Sequence, residues 1–144
     1  MSLMAEPDQA AGNASGRAMG LLEKIVERRQ GTWAEHRARF KLGRWLRHDD
    51  NPATRRRGDR LLETLARSDR HTAYTHEARL VLALDAIDGD AFAKARDLLK
   101  RIPAEDVLWH RQARLYLRAM EDPDSRIWTL LNKPHPARRP SAER

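Results

Sequence analysis

The side chains here with the widest chemical repertoire are six histidines, 21 carboxylates and 28 lysines and arginines; there is no cysteine. A helical metal site wants ligands three or four residues apart, since only those share a face. His76 opens "HEARL", which starts like a zinc-protease motif, but Leu80 stands where the second histidine belongs. His71 and His76 are five apart, on different faces if helical. "DAIDGDAF" lacks calcium-loop spacing and reads as a turn. "GNASGRAMG" is glycine-rich but follows no strand, so it does not form a phosphate cradle. The serines lie in no nucleophile context. These absences predict no metal, no cofactor and no catalytic residue.

The arginines carry a stronger pattern. Arg39, Arg79 and Arg114 each follow an alanine: Ala38, Ala78 and Ala113, at spacings of 40 and 35 residues. The second residue after each alanine is Phe40, Leu80 or Leu115, and the fourth is Leu42, Leu82 or Leu117. An aromatic (Trp33, Tyr74, Trp109) and a histidine (His36, His76, His110) precede each copy. At about 100° per residue, the alanine and the fourth residue share one face, and the second residue lies on the opposite one. Such a helix is sandwiched between neighbours. The arginine falls on the flank. Stacked repeats would align Arg39, Arg79 and Arg114 into an exposed ladder, joined by Arg118. The ladder either bridges to acids on neighbouring helices or binds an acidic partner. Arg55, Arg56 and Arg57 form a second basic cluster.

Elements that would hold these residues are all helical. Leu, Ala, Arg, Glu and Asp dominate, and no strand candidate survives. Thr32 caps one helix, Asn51-Pro52 opens another, and Thr72 or Thr75 a third. Gly31, "DGD", Pro103 and "EDPDS" end helices. The reading is about seven helices across residues 17–133, with residues 1–16 and the basic, Pro-rich 134–144 as disordered tails. Gly58 precedes Leu62 by four residues, and Ala95 precedes Leu99 likewise, so a small residue lets paired helices approach closely.

Periods of this length mark stacked helical hairpins. The chain resembles the tetratricopeptide-repeat (TPR) superfamily in Leu82-Ala83, in Gly89-Asp90-Ala91-Phe92, in Ala95 and Leu99, and in Leu42-Gly43 with Gly58 and Leu62. The resemblance covers about residues 32–132; its period of 35–40 departs from the family's 34, and Pro103 comes early. It implies a right-handed stack of about three antiparallel hairpins, a TPR-like α-solenoid whose last hairpin is truncated. It also implies a scaffold that binds peptides or helices without catalysis.

The net charge is +7. Residues 17–67 hold 14 Lys/Arg against 7 Asp/Glu, whereas residues 68–133 hold 11 of each. This asymmetry predicts an acidic partner for the first half. The expectation is a protein-interaction module, with partner-binding residues Arg39, Arg79, Arg114, Arg118, Arg55, Arg56 and Arg57. The alternative is a nucleic-acid-binding helical repeat using the basic first half. Few exposed aromatics count against it, because Trp33, Trp45, Trp109 and Trp128 all fall on apolar faces. Trp128, near the end of the array, is the one placed to meet a partner. No membrane span or signal peptide is visible, and the missing cysteines fit a reducing, cytoplasmic setting. The outer helices either cap the array or form a homodimer.

Overall fold

A computed structural model describes residues 6–28 and 31–140 of the chain. Among them there are seven α-helices and no strand: α1 (Glu6–Arg28), α2 (Trp33–Leu46), α3 (Pro52–Ala66), α4 (Ala73–Asp88), α5 (Phe92–Lys100), α6 (Val107–Glu121) and α7 (Arg126–Leu130). The chain divides into two compact units, Met1–Ser68 and Asp69–Arg144.

Cap residues set the boundaries. Thr32 Oγ1 accepts from the Glu35 amide at 3.2 Å and starts α2. Asn51 Oδ1 accepts from Ala53 N at 2.9 Å, with Pro52 at the first helical position of α3. Thr72 and Thr75 are not alternatives: each side chain accepts from the other's amide, a reciprocal cap that opens α4. The turn after α4 departs from expectation. Gly89 has an ordinary φ of −88°, and Asp90 takes the left-handed conformation at φ 61°. Asp tolerates that region better than most residues.

In the first unit, α2 packs on both α1 and α3. Gly43 and Gly58 make the α2–α3 crossing. A Cβ on Gly58 would lie 2.5 Å from Arg47 N and 2.8 Å from Gly43 O. The two backbones touch where a side chain would stand, and Leu62 fills the groove beside them, fully buried. Arg57 pairs with Glu23 of α1 at 2.7 Å.

In the second unit, α4 pairs with α5, and α6 packs on α4, α5 and α7. Here alanines replace glycines: Ala83 and Ala95 are fully buried, as are Ala78 and Leu99. Both faces of α4 are covered, Leu80 and Leu82 alike. The same double burial holds for Ala38, Phe40 and Leu42 of α2. It fails for α6, where Ala113 is buried but Leu115 is 49% exposed. Leu115 instead lines an open cavity together with Arg111, Arg114 and Arg118.

Both expected tails are shorter than composition suggests. Residues 1–5 and 141–144 lie outside the described residues, but Glu6–Gly16 belongs to α1. Residues 133–139 are strapped onto the second unit. His135 is buried, its Nε2 donating to Met120 O at 2.8 Å and its Nδ1 accepting from Ala137 N. Lys133 donates to Asp88 O, and Arg139 pairs with Asp90 at 2.6 Å. Composition signals flexibility, but it does not show that acids at the α4–α5 turn await these cations.

Candidate functional site

The three repeat arginines have three different environments. Arg39 Nε donates to Glu35 Oε1 at 2.8 Å, one turn back on α2. Arg114 is exposed. Arg79, expected on an open edge, is 1% exposed. The flank of α4 is covered by the connection between α5 and α6, which the repeat pattern does not reveal.

Around Arg79 lies a polar cluster inside the second unit. Its Nη1 is 3.0 Å from His71 Nδ1, 3.1 Å from His76 Nδ1 and 3.4 Å from Arg101 O. A guanidinium only donates, so both Nδ1 atoms are acceptors and both rings carry their proton on Nε2. The rings stack, with centroids 5.6 Å apart. His76 Nε2 then donates to Asp106 Oδ2 at 2.5 Å. Asp106 sits at the N-cap position of α6 but does not cap it, because its carboxylate is turned to His76. Burial lowers the His76 pKa, with Arg79 and His71 adding to the effect, while Asp106 pulls it back up. Burial also pulls the Arg79 guanidinium below its ordinary value. The cluster ties the start of α6 and the end of α5 to α4. Beside it is a cleft of about 290 Å3, lined by His71, His76, Glu105, Asp106 and Trp109 among others. Both ring nitrogens of His76 are committed to protein partners, Arg79 and Asp106.

Two helix faces are open. On α6, Val107 (60% exposed), Leu108 (72%) and Leu115 share an arc with Arg111, Arg114 and Arg118. A shallow cavity of about 230 Å3 runs along it, lined by Ala104, Val107, His110, the three arginines and Leu115. On α2, Trp33 (56% exposed) and Trp45 (47%) share an arc with Arg37, Lys41 and Arg44, all exposed. Arg37 lies over the Trp33 ring at 5.7 Å. These two tryptophans were expected in the core. Trp128, expected as the exposed one, is 4% exposed, its Nε1 donating to Ala119 O at 2.8 Å. Fixed apolar-face reasoning fails at Trp33 and Trp45 because both stand at the rim of the buried stripe, on the side where cations recur.

The Arg55–Arg57 cluster is spread over separate tasks. Arg55 donates to Asp49 O and Asp50 O, Arg57 pairs with Glu23, and Arg56 is exposed. Sequence reasoning missed His71, Asp106, Arg111 and the α2 cations. The spacing 33, 37, 41, 44, 45 is legible as one helix arc; the His71–Arg79 and His76–Asp106 contacts carry no local signal. Among the described residues no group of three or more His, Asp or Glu is arranged to hold a metal ion, and no helix is long and apolar enough to cross a membrane. Comparison with protein-family models, curated proteins and solved structures finds no match to this chain.

Proposed function

We propose that the chain is a non-catalytic protein-interaction module of TPR-like helical hairpins whose second unit docks an acidic amphipathic helix on α6. The single observation that carries this reading is the open arc of α6. Three aliphatic side chains lie outward among three arginines, and no acid lines the cavity they share. Val107 and Leu108 stand about two turns from Leu115, and Leu108 to Leu115 is an i to i+7 interval found among the anchors of a helix laid along a groove. The arginines, grouped around Val107 and beside the two leucines, suit glutamates or aspartates along one flank of that helix. Support for hairpins comes from the packed α2–α3 and α4–α5 pairs, the first closed at Gly43 and Gly58. Of the residues expected to bind, Arg114 and Arg118 stand on this arc, whereas Arg79 is buried and Arg39 is paired with Glu35.

The test is fluorescence anisotropy with a labelled helical peptide of about 16 residues, leucines on one face and glutamates on its flanks. Leu115→Asp, or Arg114→Gln with Arg118→Gln, should weaken binding at least about tenfold. Equal binding by wild type and both variants, or none by wild type, overturns the reading.

A further inference from the structure

The exposed arc of α2 belongs to the other unit and does not enter the α6 reading. At about 100° per residue, Trp33, Ala34, Arg37, Lys41, Arg44 and Trp45 fall within a sector of about 120°. The sector holds two indoles, three cations, one alanine and no carboxylate. Core packing does not explain the cations, because the buried residues of α2, among them Ala38, Phe40, Leu42 and Leu46, lie outside the sector. Nor do ion pairs dictate it: the nearby acid Glu35 is turned to Arg39.

Solubility alone would accept lysine or glutamate at Trp33 and Trp45. Two half-exposed indoles bracket the three cations on this helix surface. They stand 12 residues apart, about 18 Å along the axis. Between them the cations step by about 5–6 Å, comparable to the interval between phosphates of an extended strand. Single-stranded nucleic acid is recognised by this combination: a positive track for the backbone and aromatic faces for the bases. Stacking ignores base identity, so the arc should show little sequence preference.

An acidic protein would also satisfy the cations, and indoles anchor protein interfaces too. An anionic membrane fits less well, since insertion needs a continuous apolar stripe. The apolar stripe of α2 is buried, and its outward sector places three cations between the indoles. We infer that the α2 arc binds single-stranded nucleic acid, Trp33 and Trp45 stacking on bases while Arg37, Lys41 and Arg44 track the phosphates.

The probes are a fluorescein-labelled oligothymidine and an oligouridine of about 15 nucleotides, titrated at about 50 to 200 mM salt. Wild type should bind both, with affinity falling steeply as salt rises. Replacing Arg37, Lys41 and Arg44 by Gln should lower the slope of log affinity against log salt by about 2, since each phosphate contact on a single strand contributes about 0.7. Trp33→Leu and Trp45→Leu should each weaken binding at least about fivefold with the slope unchanged. Leucine keeps the apolar bulk, and circular dichroism verifies that each variant folds. Leu115→Asn on α6 should leave oligonucleotide affinity unaltered. Absence of binding at the lowest salt overturns the inference. So does binding that the Trp variants leave intact, which would mean charge attraction only. Phosphatidylserine vesicles that outcompete the oligonucleotides would assign the arc to a membrane and overturn it as well. An acidic helical peptide that outcompetes them at this face would assign it to a protein, with the same result.

Discussion

The two units each pack a pair of neighbouring helices and differ in the residues at the contact and on the outside. In the first, Gly43 and Gly58 bring α2 and α3 to backbone contact; in the second, α4 packs on α5 with Ala83 and Ala95 fully buried. Outside, α2 brackets three cations with indoles, whereas α6 intersperses three cations with Val107, Leu108 and Leu115. The lesson is that a repeated core pattern leaves flank chemistry free. Equal charge on two faces does not mean equal chemistry between the charges, which is what the two proposed partners turn on.

The largest expected effect is in the second interior. Leu82 is 5% exposed, so Leu82→Ala deletes buried methylenes and should cost roughly 2–5 kcal/mol by urea denaturation. A loss under about 0.5 kcal/mol would break the assignment of α4 as a helix covered on both faces.

Next comes the contrast between crossings. Gly58→Ala places a methyl 2.5 Å from Arg47 N, against backbone that has nowhere to go. It should cost about 1–3 kcal/mol, as overpacking does. Ala95→Gly should cost less, about 1 kcal/mol, since it removes a methyl from a helix without a clash. If thermal melts show the two equally harmful, the crossings are not distinct.

The outer faces are separated by crossed variants. Trp33→Leu with Trp45→Leu should abolish most oligonucleotide binding and leave the acidic peptide within about twofold; Leu115→Asp should do the reverse. Loss of both ligands in either variant would merge the two faces into one site.

The smallest effect is a pH dependence confined to the second unit. The folded pKa of His76 lies below the ordinary 6.5, so the unfolded chain holds that proton more tightly. Its contribution to stability is complete above about pH 6.5 and falls as pH drops toward the lowered folded value. A protonated Nδ1 would also turn from acceptor to donor against Arg79 Nη1. The melting temperature should fall by a few degrees between about pH 7.5 and 5.5, and His76→Gln should flatten that slope. An unchanged slope in the variant would exclude His76 as the source.

Much of the interior was legible in the sequence. Alanine and leucine four apart fix a buried face by helix geometry, and the threonine and asparagine caps act locally. The site was less legible because its partners are distant in sequence. Nothing near Arg79 announces that His71 will accept from it, or that Asp106, 30 residues beyond His76, will give up helix capping for that imidazole. The third repeat copy was misread for a related reason. Leu115 has the same place in the pattern as Leu80 but is half exposed, because the pattern fixes the side of the helix and not whether a neighbour covers it.

The strap over residues 133–139 also has a bearing on α4. The carboxyl end of a helix carries partial negative charge, and α4 ends in Asp88, with Asp90 just beyond. Left alone, those two carboxylates would oppose the helix dipole. Lys133 lies 3.8 Å from one and 3.7 Å from the other, and Arg139 holds Asp90 below the usual carboxylate range. The end of α4 is thus neutralised by side chains 45 and 49 residues further along. A proteolytic nick after Asn132 would act as a charge mutation at the far end of α4, loosening its final turn without touching it.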